Sequence, residues 1–271
     1  MAHSISEEFQ NLIARAKAKE RERLGQDLEK LAEQGIGAFE EIIARLPGMG
    51  QEDCWPALEV LAHYPKGKAV PALLTLIADR EMPDRWQLLW PFDRLGGKRA
   101  YRALIRLMQE DRDPEVRRSA AYHLRWLAIR DDLGERPACE ALMGVLADRA
   151  EEPLVHAEAA EGIGFTLELQ DMRTRIFKQA ARLLIEMLAD PAPEVRFWCC
   201  YALMVMRARA GLPELQRLAE TDDAMCPGWW RVSEEASDAI VVIQGGRPPE
   251  RTPASWGVAS GTGRTTAPDT V

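Results

Sequence analysis

The sequence predicts an all-α protein, an α-α superhelix in the form of a right-handed solenoid of about six helical hairpins. Three observations predict it. One short motif occurs three times, at spacings of 39 and 40 residues. Between the copies, apolar residues fall at helical spacing, and no segment sustains the alternation that marks a strand. Finally, 46% of the 271 residues are hydrophobic, enough for one elongated domain or two compact ones.

The motif reads Asp113-Pro114-Glu115-Val116-Arg117 followed by Ala120, Ala121 and Leu124. Its second copy is Glu152-Pro153-Leu154-Val155-His156 with Ala159, Ala160 and Ile163. The third is Ala192-Pro193-Glu194-Val195-Arg196 with Cys199, Cys200 and Leu203. Proline fixes φ and lacks an N–H, so it suits the first turn of a helix. Positions +4, +5 and +8 from the valine share its helical face, and small residues there let a neighbouring helix come close. One such helix cannot bury its face alone, so successive copies must stack.

The run from Asp111 to Leu124 resembles the second helix of a HEAT repeat, closest to the short bacterial type also found in phycobilisome lyase subunits. Asp190 to Leu203 is similar, with cysteines in place of the alanines. The resemblance implies that Arg117 and Arg196 tie neighbouring repeats through an aspartate, with Asp111 and Asp190 as the partners. His156 stands where the family has arginine, which removes that tie at one junction.

Ser4 and Glu7 form a capping-box pattern ahead of Phe9, Leu12 and Ile13, and residues 1–34 read as N-terminal capping helices. Residues 35–244 form the repeat region. Ile36 to Leu46 supplies its earliest helix and Cys54 to Leu61 the partner. Val70, Leu73, Leu74 and Ile77 give the next first helix; Met82 to Trp86 reads as a turn and helix start that Pro91 kinks or shortens. Tyr101, Leu104, Ile105 and Met108 precede the first motif copy, and Ala138, Leu142 and Val145 the second. Ile176, Ala180, Leu184 and Met187 precede the third. Leu212, Leu215 and Leu218 close the series, followed by Val232, Ala236 and Ile240 after Pro227. Residues 245–271 are rich in Gly, Pro, Thr and Ser and read as a disordered tail, in which Trp256 could anchor a contact.

Composition narrows the function. There are 35 basic against 43 acidic residues, a formal charge of -8, which argues against a dedicated nucleic-acid binder. The N-terminus lacks an apolar signal region, and the longest apolar run, Phe197 to Met206, falls short of the ~20 residues that span a bilayer. Five cysteines without a C-x-x-C pair read as buried reduced thiols, so the expected setting is cytoplasmic, with no membrane.

No catalytic constellation emerges, and neither a cofactor nor a metal is expected. His156-x-Glu158 lacks the later P-C-x-x-C of a deaminase. H-E-x-x-H, G-x-S-x-G, the P-loop and G-x-G-x-x-G are absent, and so is the His-Glu dipeptide of iron-binding HEAT hydroxylases. Gly162-x-Gly164 reads as close helix packing or a helix stop.

In HEAT stacks the second helices line the concave side. With Val116, Val155 and Val195 turned inward, positions +2, +6 and +9 turn partly away from the core. These are Arg118, Tyr122 and Arg125; Ala157, Glu161 and Gly164; and Phe197, Tyr201 and Met204, with Glu234, Asp238 and Val241 in the last repeat. Arg, Tyr, Phe and Met compose a protein-recognition surface. The expected function is a non-catalytic scaffold or adaptor that buries a helix or loop of another protein in this groove. Two alternatives stay open: a bilin lyase-type or chaperone-like subunit acting on a partner protein, and a HEAT-like DNA glycosylase or nucleic-acid-binding protein, which would use some of the eight tryptophans.

Overall fold

A computed structural model describes residues 37–130 and 133–251, together with Ala14. The capping helices expected in residues 1–34 and Trp256 lie outside the described residues. The chain divides into two compact units, Met1–Thr166 and Leu167–Val271. Among the described residues there are twelve α-helices and no strand, with one isolated bridge between Met225 and Arg231.

The first unit is a series of hairpins. Helix α1 (Gly37–Arg45) is followed by α2 (Gln51–Leu61), and α3 (Lys66–Ala78) by a short 3-10 helix (Arg85–Leu89) and the four-residue α4 (Phe92–Leu95). The break between these two pieces falls at Pro91, where a continuous helix would lose a hydrogen bond. Next come α5 (Gly97–Glu110) and α6 (Pro114–Arg130), then α7 (Glu135–Ala147) and α8 (Pro153–Leu167). The second unit pairs α9 (Arg175–Met187) with α10 (Pro193–Val205), and α11 (Leu212–Thr221) with α12 (Val232–Ile243).

The motif does in space what its spacing implies. Val116, Ala120, Ala121 and Leu124 are fully buried, as are Ala159, Ala160 and Ile163 on α8 and Val195, Cys199, Cys200 and Leu203 on α10. Full burial of one aliphatic side chain is worth roughly 1.5–3 kcal/mol, so the aligned faces supply much of each unit's stability. Gly162 does not stop its helix, because α8 runs on to Leu167. It serves packing instead: a Cβ there would lie 3.1 Å from a Leu142 methyl on α7.

Candidate functional site

Arginines near the start of the second helices link one hairpin to the next. Arg85 donates from Nη1 and Nη2 to the carboxylate of Asp111, at 3.0 and 2.9 Å, and from Nη1 to the Ile77 carbonyl. Arg117 donates from Nε and Nη2 to both oxygens of Glu151, at 2.7 and 2.6 Å, and from Nη1 to the backbone carbonyl of Asp111 at 2.8 Å. Arg196 repeats the geometry on Asp222, at 2.6 and 3.0 Å, with Nη1 on the Asp190 carbonyl at 2.7 Å. Such bidentate forks are the strong form of ion pair. Burial raises the Asp111 carboxyl, yet the hydrogen bonds and charge of Arg85 hold it below its ordinary 3.8.

This corrects the expected pairing. Arg117 and Arg196 meet Asp111 and Asp190 through backbone carbonyls only, and their carboxylate partners lie one hairpin further on. The Asp111 carboxylate belongs to Arg85, and that of Asp190 accepts the N–H of Ala192 at 2.8 Å. His156 keeps the local half of the contact, with Nε2 at 2.8 Å from the Asp148 carbonyl.

A second cluster sits on the second helices of the first unit. Arg125 is only 4% exposed. Its Nη1 lies 2.6 Å from Glu161 and 3.5 Å from Glu158, both on α8. Its guanidinium also lies against three rings, 4.4 Å from Tyr122, 4.9 Å from Phe165 and 5.3 Å from Trp126. Burial works against the charge, and the two glutamates more than restore it. Tyr122, Arg125 and Glu161 are therefore brought together as the sequence expects, but Arg125 is an internal clamp rather than a free groove cation. The reason is that α6 has a neighbour on each flank, and position +9 faces α8. Arg118 stays half-exposed and pairs with Glu115 on its own helix at 2.8 Å.

The clamp holds an aromatic face. Trp126, 41% exposed, packs on Phe165 with ring centroids 5.6 Å apart. Ile129 is exposed on the same helix. On the earlier hairpins Trp55, also 41% exposed, packs on Trp90 at 4.4 Å.

In the second unit Phe197 departs from expectation: it is 1% exposed and belongs to the core. Its ring packs against Trp198, Trp230 and Trp229 at 5.5, 5.6 and 6.1 Å. The turn leading into α12 carries Trp229 and Trp230, and it covers the flank of α10 that a helical wheel leaves open. Tyr201 and Met204 are half-buried, with Tyr201 against Trp198 at 5.3 Å. Trp230 donates from Nε1 to Glu235 at 2.8 Å.

Sequence reasoning missed Arg85, Glu151, Asp222 and Glu158. A signal for Arg85 existed in Pro83-Asp84-Arg85, one residue shorter than the motif. Among the described residues no group of three or more His, Cys, Asp or Glu is placed to hold a metal ion. No helix among them is long and apolar enough to cross a membrane. All five cysteines are buried.

Stacked hairpins with recurring motif positions define the class: an all-α helical-repeat protein. Residues 182–206, from the middle of α9 through α10, match the family model described as HEAT repeat. Among solved structures, an engineered protein is similar with a TM-score of 0.50 and 20% identity, over 77% of this chain and 97% of that one. A designed armadillo repeat protein in complex with the peptide (KR)4 gives a TM-score of 0.49 and 18% identity, over 75% and 98% of the two chains. None of the curated proteins compared with the chain matches it. The chain thus carries a HEAT-type repeat at residues 182–206 within an all-α helical-repeat fold.

Proposed function

We propose that the chain is a non-catalytic binding scaffold that takes up a segment of a partner protein on the second helices of its first unit. The observation that carries the reading is the aromatic face around Trp126. A tryptophan left 41% exposed and braced by Phe165 and a buried Arg125 is a large, rigid, amphipathic surface of the kind that anchors interfaces. The partner is expected to bring an apolar side chain to Trp126 and an acidic group to half-exposed Arg118. Arg125, neutralised by Glu158 and Glu161, offers little to a phosphate backbone, which weighs against nucleic acid.

The test is affinity capture from native lysate with the wild type and with Trp126→Ala/Arg118→Glu, each of confirmed helicity. A protein retained by the wild type and lost from the variant, then shown to bind directly when purified, supports the reading. Equal retention by both would place the binding surface elsewhere.

A further inference from the structure

Beyond α12 the chain carries Arg247-Pro248-Pro249-Glu250-Arg251 without regular structure. Paired prolines favour an extended backbone and cannot join a helix. At its end the side chain of Arg251 turns back onto α12. Nε donates to Asp238 Oδ2 at 2.5 Å, Nη2 to Oδ1 of the same carboxylate at 3.0 Å, and Nη1 to Glu234 Oε1 at 2.7 Å. The guanidinium carbon stands 5.9 Å from the Trp230 ring centroid.

This set of partners is specific. Glu234 and Asp238 are four residues apart and share a helical face. One carboxylate meets the guanidinium in a fork, a second takes its free edge, and an indole lies alongside, which suits arginine better than lysine. Helix capping explains part of Glu234, whose other oxygen accepts the Arg231 N–H at 3.0 Å. It does not explain Asp238, which lies past the first turn and is buried. A third acid, Glu235, is 2% exposed, and its Oε1 has no hydrogen-bond partner among the described residues. It lies close enough to Asp238 and Arg251 for both to act on its titration. A helix built for stability alone gains little from burying acids around a cation that arrives from outside the repeat.

We propose that Glu234, Asp238 and Trp230 form a binding site for an arginine carried on an extended, proline-containing peptide, and that residues 247–251 occupy it in cis as a built-in competitor. The site lies wholly within the second unit and does not depend on the aromatic face of the first. The tether from Ile243 to Arg251 is short, so the effective concentration of the resident arginine is on the order of millimolar. A peptide in solution must compete with it.

The probe is a fluorescein-labelled peptide with the sequence of residues 246–253, followed by anisotropy against the full chain. Wild type, Arg251→Ala and Arg251→Gln are compared, with circular dichroism to confirm folding; either folded variant decides the result. The variant is expected to bind at least about tenfold more tightly than the wild type. Replacing the peptide's second arginine by citrulline, or adding Asp238→Asn to the chain, should remove that gain. If a folded variant binds no better than wild type up to millimolar peptide, Arg251 is a fixed structural pin and the proposal falls. If the gain survives Asp238→Asn, the peptide binds elsewhere and the site is wrongly assigned.

Discussion

Each unit holds a guanidinium beside two carboxylates, with three aromatic rings around Arg125 and one indole beside Arg251, but the two are assembled from opposite directions. In the first, Arg125 grows from the helix it stabilises, and its acids, Glu158 and Glu161, reach across from α8. In the second, the acids Glu234 and Asp238 sit on the helix, and Arg251 arrives on a stretch beyond it. Arg125 is almost fully enclosed. Arg251 stands on a segment with no regular structure. Related chemistry thus makes an enclosed clamp in one place and, on our proposal, a releasable contact in the other.

The strongest way to break this comparison is Arg125→Met. It leaves two glutamates facing an apolar enclosure and should cost about 3–5 kcal/mol in urea melts of the full chain. Adding Glu158→Gln and Glu161→Gln should recover much of the loss, because the penalty is an uncompensated buried charge. Full stability in the single variant would mean that Arg125 is no clamp.

Next in size is a pH effect in the second unit. Burial first, with Asp238 adding to it, pushes the Glu235 carboxyl from 4.5 up to about 8, against the opposing Trp230 N–H and Arg251. Between those values the folded chain binds a proton that the unfolded chain has lost. Stability therefore falls as pH rises through that window. Urea melts at about pH 5 and about pH 8 should differ by on the order of 3 kcal/mol from this group. Glu235→Gln, which keeps an acceptor for Trp230, should flatten the slope.

Arg117→Ala removes the fork on Glu151 and should cost about 2 kcal/mol, seen first as faster hydrogen exchange in α7 and α8. The smallest effect sharpens the contrast most. Arg251→Ala should cost less than about 1 kcal/mol, since its pairs are partly solvated. A loss as large as that from Arg125→Met would make the two guanidinium sites equivalent.

The repeats were legible because packing is periodic: Pro114, Val116, Ala120, Ala121 and Leu124 recur in type and spacing, and each copy lands in the core. Arg117 and Arg196 were legible as ties for the same reason. Their partners were not, because Glu151 and Asp222 lie 34 and 26 residues further along and share no fixed spacing. The direction of Arg125 and Phe197 was hidden by a different cause. A wheel centred on Val116 or Val195 describes burial against one neighbour, while α8 and the Trp229-Trp230 turn close a second flank. Arg251 was unreadable from composition, since a Gly/Pro-rich stretch says nothing of one side chain that returns to a helix.

The buried cysteines give the molecule a set of internal clocks. Cys54 lies in α2, Cys139 in α7, Cys199 and Cys200 in α10, and Cys226 ahead of α12. Burial pushes the Cys54 thiol up to about 11 and that of Cys139 to about 12, and raises the α10 pair as well. A protonated, enclosed thiol is inert to alkylating reagents until its helix parts from its neighbours. Mass spectrometry of timed alkylation would therefore record how often each of the four cysteine-bearing hairpins breathes open, one hairpin at a time, in the unaltered chain.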